Sequence, residues 1–491
     1  MKLFKKLASF ILAFAMVAAI AMPSVVMAAD SGSITITGAK AGHTFEAYQI
    51  FAGDYSNGTL SNIKWGTGVN SEGQTKLGSA TDKAATLQNE NDAKKFAYEV
   101  AEYLDIASGE SVRDGENYKI NNLAPGYYLV KDKDGTVPDE QTYTQFILKV
   151  VGDATAAVKS KVPTSEKKVK DTNDTTGVTT DWQDSADYDI GDDVPFQLTG
   201  TVAEDFADYK GAYKLVFHDK ESAGLKFKPE TVKVYVDGNK IDSGYDIKTK
   251  ADGNTSDADC TFEVVFDNLK KIDSVHGGSK ITVEYKSTLT TDAVIGAVGN
   301  PNEMRMEFSN NPNVSQGGTT TTPWDKVIVF TYQTIVNKQN SERQPLTGAG
   351  FTLYKKVNGD WEEVTKVLST SNDGATFTFA GLDDGDYKLA ETTTPPGYNT
   401  MAPIEFTIEA THDTEKDNPE LTKLNGNVTT GTVTFTPNIE AGSLTTDVIN
   451  YKGSELPETG GMGTTVLYVA GTLMIIVAAA FLVMKKKAEN K

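Results

Sequence analysis

One cysteine, Cys260, and four histidines are all that 491 residues contain of those two types. A lone cysteine excludes an internal disulfide, so any covalent staple in this chain has to be of another kind. Cys260 lies between "DAD" and "TFEVVF" and reads as a half-buried strand residue. His43, His218, His276 and His412 are scattered without metal-ligand spacing, and each reads as a surface residue. No metal and no cofactor is expected. No nucleophile elbow, HExxH pair or phosphate loop occurs, which leaves an enzyme without a motif to rest on. Basic residues are also in deficit, 47 Lys and Arg against 67 Asp and Glu for a net charge of −20. Such a chain has no basic face for nucleic acid and suits a soluble, exposed surface.

What is present begins at the ends. Residues 1–29 follow the pattern of a secretory signal: Lys2, Lys5 and Lys6 precede the apolar run "ILAFAMVAAIAM", with small residues around Ala28 and Ala29 for cleavage. The other end holds an apolar stretch from Thr464 to Met484, long enough to cross a bilayer once, followed by Lys485, Lys486 and Lys487. Directly before it stand Leu456, Pro457, Glu458, Thr459 and Gly460. With the span and the basic end, these five residues resemble the cell-wall sorting signal of Gram-positive surface proteins. The resemblance implies that a sortase cysteine attacks after Thr459 and that the membrane segment, within residues 456–491, serves only transiently.

Between the ends, the length calls for about three domains. Period-two strands dominate after residue 160. In "TVKVYVDG", Val232, Val234 and Val236 share one face and Asp237-Gly238 signals a hairpin; in "PIEFTIEA", Ile404, Phe406 and Ile408 do the same. These point to tandem β-sandwiches at residues 159–318 and 323–454, divided by the Asn/Gly/Thr-rich "NNPNVSQGGTTTTP". Residues 30–158 read as a mixed α/β domain, with strands such as "GYYLVKD" and a helical stretch "DAKKFAYEVAEYLDIA" whose apolar stripe is Phe96, Val100 and Leu104. The fold class expected is multidomain, all-β, immunoglobulin-like, with a mixed first domain.

Three polar residues break the inward faces of the last domain. In "DYKLAETTTPPGY", Glu391 shares parity with Tyr387 and Leu389; in "VFTYQTIVNKQ", Lys338 shares it with Phe330, Tyr332 and Val336; in "LTTDVINYKG", Asn450 shares it with Leu444 and Val448. Burying them unpaired would cost several kcal/mol each. A chemical reason exists: burial makes a lysine amine neutral and a carboxyl protonated, and the amine then attacks the asparagine amide and expels ammonia. A weaker version occurs in the middle domain, where Lys167 lies with Val169, Asp219 with Leu215 and Phe217, and Asn302 with Met304, Met306 and Phe308. Glu263 or Glu284 could replace Asp219 as the acid. The first domain shows no parity-matched triad.

"YKLAETTTPPGY" resembles the E-box of Gram-positive pilins, and the last domain is similar to a collagen-adhesin B-type domain. The resemblance implies that Lys338 is joined to Asn450 with Glu391 as the catalytic acid, and, as in the second domain of major pilins, Lys167 to Asn302 with Asp219. It further implies a pilus backbone: a non-enzymatic, secreted, wall-anchored fimbrial protein that supports adhesion and colonisation. Its implied partners are other copies of itself, a pilus-specific sortase, minor pilins and a peptidoglycan precursor. The acceptor lysine in that family usually sits in a Tyr-Pro-Lys motif, which this chain lacks. "AAVKSKVPT" occupies the matching place, making Lys159 the first choice and Lys161 the alternative. The competing reading is a monomeric wall-anchored adhesin whose first domain binds a ligand on a β-sandwich stalk.

Overall fold

The computed structural model describes residues 31–56, 59–151, 153–158, 161–365, 368–371, 373–454 and 462–488. The architecture is mostly β, as expected, with helices in the N-terminal region and at the C-terminal end.

The first region packs two sheets. One is built on Gly32–Thr37, which pairs antiparallel with Asn117–Leu123 and parallel with Asp153–Ala157; the other centres on Phe45–Ser56, between Thr59–Trp65 and Gly126–Asp132. The expected helix is real but shorter than its apolar stripe. It runs Glu90–Val100, capped by the Asn89 side chain, then tightens through Ala101–Tyr103 and leaves Leu104 extended. Two further helices, Ser71–Leu77 and Ala80–Ala85, escaped the sequence reading because neither is long enough to show a stripe. Their starts are fixed by side chains, Asn70 and Ser79 each accepting a backbone N–H of the first turn.

The second region is a sandwich around one large core that includes Phe196, Phe217, Val234, Phe262 and Met306. One sheet runs Ser165–Val169, Asp193–Thr201, Lys280–Leu289, Leu225–Val236; the facing one carries Asn300–Ser309 between Leu215–Glu221 and Asp325–Phe330. The hairpin forms at Asp237-Gly238, both with positive φ (49° and 81°), which is the twist a two-residue turn needs. The linker before residue 323 leads into Asp325–Phe330, a strand hydrogen-bonded inside the second sandwich. Its alternate side chains divide between two cores: Val327 and Val329 belong to the second, Ile328 and Phe330 to the third.

The third region pairs its first strand, Tyr332–Asn340, in parallel with its last, Ser443–Asn450, in one sheet, and packs against it a sheet containing Gly350–Val357, Gly385–Thr393 and Ile404–His412. A final helix, Met462–Ala488, includes a candidate membrane span at Val466–Lys487 with mean hydropathy 2.6.

Four minor expectations need correction. His43 and His218 are buried and His412 is half-buried, because each has acidic or hydroxyl partners inside the fold; only His276 is exposed. Cys260 is fully buried and lies outside the strand Phe262–Phe266, its thiol pKa pushed up by burial.

Candidate cross-link sites

In the third region the three inward polar residues meet. Alternation along Tyr332–Asn340 puts Lys338 on the same inward face as Tyr332 and Val336. Its register partner on the last strand is Val448, and Asn450 is one same-face step further. Lys338 Nζ donates to Asn450 Oδ1. The Asn450 amide nitrogen in turn lies 2.8 and 3.0 Å from the two carboxylate oxygens of Glu391, and Lys338 Nζ is 3.3 Å from Glu391 Oε1. All three side chains are buried, with the Phe351 ring 5.7 Å from the lysine nitrogen. Glu391 is steadied by the Met401 N–H, which donates to Oε2 at 2.8 Å. Burial lowers the Lys338 pKa, opposed by the charge of Glu391.

The second region repeats the theme across its two sheets. Lys167 comes from one sheet, Asp219 and Asn302 from adjacent strands of the other. Lys167 Nζ donates to Asp219 Oδ2. Between them and Asn302 stands Tyr285, a residue the sequence reading passed over. Its hydroxyl lies 2.8 Å from Lys167 Nζ, 2.9 Å from Asp219 Oδ2 and 2.9 Å from Asn302 Nδ2. Desolvation lowers the Lys167 pKa and raises that of Asp219, the two directions that favour a neutral amine beside a neutral acid. Asp219 Oδ1 and Asn302 Oδ1 are buried without a hydrogen-bond partner, a costly arrangement for a resting core.

The other acids weighed for this role lie elsewhere. Glu263 is buried but accepts from Ser256 and Asp257 and faces His218; Glu284 accepts from Gln197 on the outer face. Glu221 is nearer, its pKa raised to about 8 by burial and by the charge of Asp219, and parity with Asp219 is the signal that could have found it. In the first region, buried Asp132 takes His43 at 2.6 Å and the Thr144 N–H at 2.6 Å, with no lysine in contact among the described residues. Leu456 to Gly460 and Lys159 lie outside the described residues. Lys161 is exposed and only loosely paired, 3.8 Å from Glu204.

Comparison with known proteins gives two domain matches: a prealbumin-like fold domain over residues 333–423 and an LPXTG cell wall anchor motif over residues 449–491. The Trypsin-resistant surface T6 protein of Streptococcus pyogenes serotype M6 is 24% identical, over 93% of this chain and 95% of that one. The solved T6 backbone pilin of serotype M6 Streptococcus pyogenes superposes with a TM-score of 0.57 at 19% identity, covering 87% of this chain and 99% of its own. The full-length major pilin SpaD from Corynebacterium diphtheriae gives 0.50 at 17% identity, covering 88% and 100%. The anchor motif marks a cell-wall-anchored surface protein, and over nearly its whole length the chain is similar to a streptococcal surface protein and shares the fold of solved backbone pilins.

Proposed function

We propose that the chain is the repeating subunit of a pilus in which every link along the load path is covalent, inside the subunit as well as between subunits. The observation that carries the intramolecular half is the contact of Lys338, Asn450 and Glu391 in a buried core.

The chemistry follows from the positions of the nitrogens. A proton passes from the Lys338 ammonium to Glu391 over 3.3 Å, leaving a neutral amine and a neutral acid. The amine attacks the Asn450 carbonyl carbon. Glu391, 2.8 Å from the amide nitrogen, gives its proton to the leaving group and takes up the second proton that the attacking nitrogen sheds, and the C–N bond to the amide nitrogen breaks as ammonia departs. One C–N bond forms, one breaks, and nothing is oxidised. In the second bead Lys167 attacks Asn302, with Asp219 as the acid.

Between subunits, a sortase cysteine takes the Thr459 carbonyl as a thioester and releases Gly460, and a lysine amine of the next copy displaces the enzyme. Lys159 is the acceptor, Lys161 the alternative. Residues 30–158, 159–318 and 323–454 form the three domains of the shaft, minor pilins decorate it, and the base copy is passed to a peptidoglycan precursor. The fibre serves adhesion and colonisation. Boiling cell-wall extracts in detergent tests polymerisation: a ladder is expected, and it should collapse to monomer in the Lys159→Arg, Lys161→Arg double variant. A single band from the wild type would make the chain a monomeric surface protein.

A further inference from the structure

The seam between the second and third beads gathers more acid than its one buried lysine neutralises. Three groups of His, Cys, Asp and Glu among the described residues bring ligand atoms within 4.8 Å of one another. In one of them, Asp174, Asp189 and Asp383, the Lys355 ammonium already sits among the carboxylates at 2.9, 2.6 and 2.7 Å. In another, around Asp257 and Cys260, both ring nitrogens of His218 are taken by Glu263 and Glu307. The third, Asp171, Asp187 and His412, has no such cation and keeps a donor atom open.

That donor is His412 Nε2. Ser185 Oγ donates its one proton to the Asp413 carbonyl at 2.5 Å, so its 2.6 Å contact with His412 Nδ1 has to be accepted from an N–H on that ring nitrogen. In the neutral ring this leaves the Nε2 lone pair facing Asp171 Oδ2 at 3.7 Å. A second observation points the same way. The Tyr332 hydroxyl is fully buried and faces Asp187, with Asp171 and Asp384 close by. Asp384 is tied back by Asn173 at 2.7 Å and borders the same space, where its charge bears on both Asp171 and His412. The side chains of His412 and Asp171 remain 9% and 17% exposed, which provides an entry path.

We infer that Asp171, Asp187 and His412 form a site for one divalent transition-metal ion of the Zn²⁺ type, with Tyr332 and Asp384 beside it. One imidazole with two carboxylates suits a borderline cation better than Ca²⁺, which takes six or more oxygens. Ser185 plays the orienting role that a partner on the far ring nitrogen plays for metal-bound histidines. Asp171 and Asp187 belong to the second bead, His412 to the third, so the ion bridges them. Nothing in linear spacing announces the site, because residues 171, 187 and 412 meet only when the beads dock. The inference does not depend on polymerisation.

The test is direct titration of the untagged full-length chain, in detergent and stripped with chelator, using Zn²⁺ alone. One ion per chain is expected, with a rise in melting temperature. Asp171→Asn and His412→Gln should each weaken binding by at least about ten-fold. Asp171→Asn keeps the shape of the side chain, so unchanged melting in chelator separates a lost ligand from a lost fold. No stoichiometric binding, binding that both variants retain, or saturation by Ca²⁺ in preference to Zn²⁺ overturns the assignment.

Discussion

Lys167, Lys338 and Lys355 are all buried, yet what faces their nitrogens differs. Lys338 meets one carboxylate and Asn450, Lys167 meets one carboxylate and the Tyr285 hydroxyl that leads to Asn302, and burial lowers both pKa values. For Lys355 burial works in the same direction but loses to Tyr387 and three carboxylates, so its pKa is raised. It stays an ammonium ion and pairs; the other two are suited to react. Tyr285 tests this division, since its hydroxyl touches Lys167, Asp219 and Asn302 at once. Tyr285→Phe should leave a fraction of chains uncross-linked in the second bead while the third remains complete, a difference visible by mass after proteolysis between beads. Inward parity on Lys280–Leu289 was legible for Tyr285, but an aromatic beside Ile281 and Val283 reads as core, and its polar tip cannot be seen from spacing.

At the scale of the element, strand alternation made the six residues of the two candidate cross-link sites legible. A polar residue at apolar parity is rare enough to stand out, and all six are buried. Contacts between distant elements were not legible in the same way, and they hold much of the structure together. In Asn300–Ser309, burial alone would raise the Glu307 pKa, but hydrogen bonds from His218, Thr319 and Lys214 hold it at about 2. A lowered carboxylate contributes stability that is full above its ordinary value of 4.5 and is lost as pH falls toward about 2. Glu307→Gln should therefore lower the melting temperature at pH 6, and the gap to wild type should narrow by pH 3. At the bead seam, Gly381 has φ +88°, and an added Cβ would sit 2.3 Å from Ile190 Cδ1. Gly381→Ala should cost at least about 1 kcal/mol from the left-handed backbone alone and open the seam to protease.

For the whole molecule, the adjacency of the first and last strands of the third bead decides how force travels. A Lys338–Asn450 bond closes a loop spanning 112 positions. By analogy with disulfides, a loop of that order removes about 4.7 kcal/mol of unfolded-state entropy. Its larger effect is mechanical, since tension entering near Lys338 leaves near Asn450 without separating the strands between. Pulled from both ends in a force spectrometer, the chain should lengthen only by unfolding of its first bead. Glu391→Ala should add a second event from the third bead.

The most direct measurement of the central claim is the intact mass of the denatured full-length chain beside its Glu391→Ala and Asp219→Ala variants. The wild type should fall two ammonia masses short of its sequence, each variant one. A wild type at full sequence mass would mean that the buried lysines, asparagines and acids are only hydrogen-bonded, and the covalent account of this fibre would be wrong.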